Sequence, residues 1–206
     1  MGSTADDSVI DLYQNHFASW IRLRGTELME KPWLDAFLDI LPQERPDVLD
    51  LGCGSGIPIA SYLIEKECSI TGVDGASALI ECARKHFPEQ TWLVNDMRAL
   101  PELGQFAGLV AWHSLFHLRP EDQRPMFHAL RRLAAPSAAL LFTTGTTEGE
   151  VIGSFEGQPL YHGSLNIAEY QELLQENGFE TIRHVESDPT CGGATIWLAM
   201  QTGKGN

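Results

Sequence analysis

Three carboxylates, three glycines and a group of histidines carry the chemistry of this sequence. The stretch Asp47–Pro58 reads D-V-L-D-L-G-C-G-S-G-I-P, with Gly52, Gly54 and Gly56 at alternate positions after the apolar run Val48, Leu49 and Leu51. Glycine lets a backbone come close to a ligand, and a helix starting near Pro58 would offer unpaired N–H groups and the positive end of its dipole. Strand, glycine turn and helix start together make a nucleotide-type site. A tight strand-to-helix turn with no ligand needs fewer glycines than three. Asp50 closes the first strand, Asp74 ends the apolar run Ser69–Val73, and Asp96 follows Thr91–Val94. A carboxylate placed like Asp74, 22 residues beyond Gly52, can accept hydrogen bonds from both hydroxyls of a ribose. Trp112, His113, Phe116 and His117 crowd the end of a fourth apolar run, where ligands of open α/β sheets bind. Tyr161 and His162 stand in a glycine-rich segment farther on and are candidate substrate contacts, with loop packing as the alternative.

The glycine spacing decides which nucleotide. A dinucleotide fingerprint needs G-x-G-x-x-G, and Ile57 or Ile59 stands where its third glycine should fall. The pattern is D-x-G-x-G-x-G, which resembles the first motif of class I S-adenosylmethionine-dependent methyltransferases. The resemblance implies a seven-stranded fold, S-adenosyl-L-methionine as cofactor and S-adenosyl-L-homocysteine as product. It implies that the loop with Asp50, Gly52, Cys53, Gly54 and Gly56 wraps the methionine half. Asp74 would then hold the ribose, Asp96-Met97 would read the adenine, and His113 would lie near the methionine portion. Tyr13 and Trp20 fall in the segment that similar enzymes close over the sulfonium. His117 lies just beyond His113, where an acceptor would sit, and its ordinary pKa of about 6.5 suits a general base, with a ring hydrogen-bonded into the loop to hold its shape as the alternative. No metal is expected: the H-x-x-x-H pair at 113 and 117 has no helix to bring both rings onto one face and no third ligand nearby. The rival readings are a protein of this fold that binds the cofactor without turnover and an NAD-dependent oxidoreductase.

Composition narrows the partners. The 206 residues suit one domain, 1–206. Acids outnumber bases 28 to 14, for a formal net charge of −14, which argues against nucleic acid because phosphate binding needs a basic footprint. A small-molecule acceptor and a monomer or homodimer are expected. Cys53, Cys68, Cys82 and Cys191 show neither C-x-x-C pairing nor metal spacing, which points to free thiols and a cytoplasmic protein. No apolar run approaches the ~18 residues of a membrane span, and Asp6 stands where a myristoylation signal wants Ser or Thr.

The elements that must position these residues follow from periodicity and loop length. Val9, Leu12, Tyr13, Phe17, Trp20 and Leu23 form one helical face closed by Gly25, and a second helix starts near Pro32 and buries Trp33. The resemblance implies that residues 9–41 together make a helical cover over the cofactor. Strands and helices then alternate, and each crossover is long enough to hold a helix, so the strands pair in parallel. Gly145–Leu165 has no clear periodicity and reads as a long substrate-side loop. Asn166 with Glu169 opens a helix that ends at Gly178. Only Ser187–Gly193 separates the last two strands, too short for a crossover, so they must run antiparallel. The fold predicted is α/β: a doubly wound, Rossmann-like sheet of seven strands, mostly parallel with an antiparallel last strand, helices on both faces.

Overall fold

The computed structural model describes residues 8–42 and 44–203, and the N-terminal stretch tested above for lipidation lies outside them. Helices α1 (Val9–Asn15), α2 (Phe17–Arg24) and α3 (Lys31–Asp39) precede the first strand. Five strands follow with their crossovers: β1 (Asp47–Leu51), α4 (Ile59–Glu65), β2 (Ser69–Asp74), α5 (Ser77–His86), β3 (Thr91–Val94), β4 (Phe106–Ala111), α6 (Pro120–Leu133) and β5 (Ala134–Thr144). The chain ends through β6 (Gly149–Phe155), β7 (Gln158–Ser164), α7 (Ile167–Glu176), β8 (Phe179–Asp188) and β9 (Ala194–Gln201).

The main sheet has the order β3-β2-β1-β4-β5-β9-β8. Its strands β1 to β5 pair in parallel, and β9 slots antiparallel between β5 and β8. This is the predicted sheet. Its two faces are covered separately. Phe127 of α6 and Tyr170 of α7 pack on Phe142 and Trp197 on one face, while Trp33, Phe37, Leu63 and Ile80 of α3, α4 and α5 cover the other. Asn166 caps α7 by accepting from the Glu169 amide at 2.9 Å. No helix among the described residues is long and apolar enough to cross a membrane.

Two expectations are corrected. The helical face from Val9 to Leu23 is not one helix, because the chain breaks at His16 (φ −117°, ψ 22°) into α1 and α2. Gly145–Leu165 is not an irregular loop but the antiparallel hairpin β6–β7, turning through Glu156 and Gly157, both at positive φ. Two such residues make the turn type that suits a two-residue hairpin. The missed signal was the E-G pair. β6 is exposed along most of its length, so it has no buried face to impose alternation. α1 and the hairpin then cover each other: Val9, Leu12, Leu160 and Tyr161 form a small apolar cluster with Tyr13 and Phe155 against it.

Candidate active site

The carboxyl ends of β1, β2 and β4 open into one cavity of about 340 Å³. β1 delivers Asp50 and the glycine turn to its floor. Gly52 is required there for packing, since a Cβ would fall 2.3 Å from Cβ of Ser114, whose hydroxyl donates to the Leu51 carbonyl at 2.7 Å. The turn itself offers no free donors at its start. The Gly52 and Cys53 amides both bond to the Val73 carbonyl, and the Gly54 amide donates to Asp74 Oδ2 at 2.9 Å. Here the glycines allow close approach rather than donation.

Asp74 ends β2 and accepts a second backbone bond, on Oδ1 from Ala76 at 2.8 Å. Burial raises its pKa, and these two bonds oppose the rise. Asp50 has no such help. It is 3% exposed, it lines the cavity, and no described residue donates a hydrogen bond to it. Burial, with the Asp74 charge adding, pushes its pKa up to about 7. A buried carboxylate without a partner is a place for a cation. Asp96, at the rim, sits below its ordinary pKa: burial would raise it, but the Arg98 guanidinium outweighs that.

α1 and the hairpin form the other wall. Gly75 leaves room for Ile10, which would lie 2.7 Å from a Cβ at that position. Gln14 Oε1 accepts from the Ala78 amide at 3.0 Å and so caps α5 from the cover. The break at His16 sends Tyr13 and Trp20 to different targets. Trp20 lies on the glycine turn, where a Cβ on Gly54 would meet its indole at 2.4 Å. The Tyr13 hydroxyl lies 3.0 Å from His117 Nε2, and His117 Nδ1 lies 2.9 Å from the Tyr161 carbonyl oxygen. A carbonyl only accepts, so Nδ1 carries the proton and Nε2 takes the Tyr13 O–H. Burial drives the His117 pKa down to about 4. His162 from β7 faces His117 at 5.1 Å between ring centroids and is also held neutral by burial.

Of the residues read from sequence, Tyr13, Trp20, Asp50, Gly52, Cys53, Asp74, Asp96, Met97, His113, His117 and His162 line this cavity. Three do not. Gly54 lies under Trp20, Gly56 packs on Trp92 and Phe87, and the Tyr161 hydroxyl turns away to Glu150 at 2.9 Å. Pro58 lies just before α4 rather than in its first turn. Ile10 and Arg24 also line the cavity and were not foreseen, while Trp112, Ser114 and Phe116 line it within the stretch read as facing the ligand.

A family profile described as a methyltransferase domain matches residues 48–137. An O-methyltransferase of Pyrenophora dematioidea is 28% identical over 187 residues, covering 81% of this chain and 69% of that protein. A ubiquinone biosynthesis O-methyltransferase of Coxiella burnetii is 31% identical over 101 residues, and the match spans 47% of this chain and only 42% of that protein. Magnesium protoporphyrin IX methyltransferase from Synechocystis, solved with S-adenosylhomocysteine, shares the fold at a TM-score of 0.74 and 20% identity, covering 96% of this chain and 100% of that one. Residues 48–137 thus match a methyltransferase domain, within a chain whose fold is that of solved methyltransferases.

Proposed function

We propose that this chain methylates a hydroxyl oxygen on a small, uncharged molecule, with S-adenosylmethionine as donor. The observation that carries the reading is a cavity with two unlike halves. One half holds Asp50, Asp74 and Asp96, and the other holds Tyr13, Trp112, Phe116 and three histidines, those at 113, 117 and 162. The acidic half fits the donor: the unpartnered Asp50 toward its ammonium, Asp74 toward the ribose and Asp96-Met97 toward the adenine. When bound, S-adenosylmethionine supplies a sulfonium methyl that an acceptor oxygen takes as the S–C electron pair returns to sulfur.

The acceptor half favours an uncharged partner. The two cavity cations are already compensated, Arg24 by Glu30 and Arg98 by Asp96 and Asp122. The histidines are held neutral. A carboxylate acceptor would find no free cation there among the described residues. An overall excess of acids supports a small molecule over nucleic acid, and four free cysteines support a cytoplasmic setting. The fold and aligned shell leave positioning and water exclusion as the main catalytic means.

Titration calorimetry tests the donor half. S-adenosylhomocysteine is expected to bind in the micromolar range, about −8 kcal/mol. NAD bound with S-adenosylhomocysteine ignored would overturn the reading. Mass spectrometry of a panel of phenols, alcohols and carboxylic acids then tests the acceptor half, and methyl esters without methyl ethers would overturn it.

A further inference from the structure

Sequence reasoning placed the proton acceptor at His117. The geometry points to His113 instead: we propose that His113 is the catalytic residue that takes the acceptor hydroxyl's proton, and that His117 is a positioning residue. This rests on the methyl-transfer reading above.

The case begins with what each imidazole has left to offer. Both nitrogens of His117 are spent, one donating to the Tyr161 carbonyl and one accepting from Tyr13. The ring thereby ties the hairpin to α1 across the cavity roof. To act as a base it would first have to release Tyr13. His113 has no such commitment. Its ring lines the cavity and makes no hydrogen bond with any described residue. The ring is held in place by contact alone, between Trp112 at 5.5 Å and Phe116 at 5.6 Å between centroids.

The backbone supports the same assignment. His113 sits at φ +50°, a left-handed conformation that costs a residue with a Cβ, and its amide is fixed by the Thr143 hydroxyl at 2.8 Å. Strain of this kind persists where surrounding structure enforces it, and it clusters at functional sites. Beside it, the indole N–H of Trp112 is buried in the cavity wall without an acceptor. An imidazole lone pair without a donor, in a ring that lines the cavity, matches a hydroxyl that can donate to it.

In the step, the acceptor's O–H bond breaks as its oxygen gains the methyl, and the proton forms an N–H bond on His113. The imidazolium then returns the proton to water. Burial above all, then Arg24 of α2 and His162 of β7, favours the neutral form of His113, and His117 faces the same space. A weak base suffices, because an oxygen bearing a new methyl is strongly acidic.

The test uses the full chain saturated with S-adenosylhomocysteine and catechol as the acceptor probe. Imidazole nitrogen resonances are read by NMR, with His113→Asn and His117→Asn supplying the assignments. Catechol should shift the His113 signal and leave His117 in its tautomer. Against any methylated panel member, His113→Asn should lower kcat about a hundredfold or more, remove the acid limb of the pH profile, and change the S-adenosylhomocysteine Kd less than about twofold. His117→Asn should act mainly on KM. A catechol shift at His117 alone, a shift at neither ring, or normal kcat in His113→Asn would overturn the assignment. Failure of the wild-type chain to bind S-adenosylhomocysteine would show instead that the donor reading is wrong, and the assignment would fall with it.

Discussion

The two halves of the cavity are built by different means. The donor half comes from three neighbouring strand ends, and its key contacts are local, such as Asp74 to Gly54 and Ala76. The acceptor half is assembled from distant segments: Tyr13 meets His117 across 104 positions, and His117 meets Tyr161 across 44. One half is preset by the sheet, while the other exists only when α1 and the β6–β7 hairpin close on the end of β4. Donor binding should therefore survive changes that cripple acceptor handling.

The largest expected effect tests the preset half. Asp74→Ala removes the acceptor of two backbone bonds as well as the proposed ribose contact, so S-adenosylhomocysteine affinity should drop roughly a hundredfold, about 2.7 kcal/mol, by calorimetry. An unchanged Kd would break the division at its firmest point.

A pH series sharpens it next. Burial pushes the Asp50 pKa up to about 7, so donor affinity should fall by up to about tenfold per unit below pH 7. Asp50→Asn should flatten that dependence. The stability sign is opposite. A carboxyl whose folded pKa is raised binds more protons folded than unfolded between about pH 4 and 7, so its contribution improves as pH falls through that window. His113 and His117, held low, pull the other way below about pH 6.5. The difference between wild type and Asp50→Asn in denaturation curves isolates the carboxyl.

Tyr13→Phe is the smaller test, aimed at the assembled half. It leaves Nε2 of His117 without a donor, so the chain should lose about 1 kcal/mol of stability. Acceptor KM should rise severalfold while donor Kd holds. A matching loss of donor affinity would merge the halves.

Legibility followed the same division. The mostly parallel sheet, the β8–β9 pairing and the acids that line the cavity could be read from sequence because each rests on local spacing: acids at strand ends, crossovers long enough for a helix, a seven-residue connection. Even there, Gly54 and Gly56 were misplaced, since only packing shows that Trp20 and Trp92 occupy the space beside them. The acceptor half resisted. Tyr161 and His162 are neighbours on β7 and so point to opposite sides, which a segment read as a loop could not reveal. His113 and His117 looked alike in sequence. Their difference lies in who holds each ring, and that depends on Tyr13 arriving from the far end of the chain.

Gln14 gives the roof an unusual tenant's role. It rides on α1, yet it completes the first turn of α5, a helix that belongs to the sheet layer. Swinging α1 away would strand the Ala78 amide, at a cost of about 1 kcal/mol by comparison with other lost caps. That toll is the same whether or not the donor is inside, so it cancels from the binding equilibrium. It does not cancel from the clock. Gln14→Ala should make entry and exit of S-adenosylhomocysteine faster together, by up to about fivefold in stopped-flow traces, at an unaltered Kd.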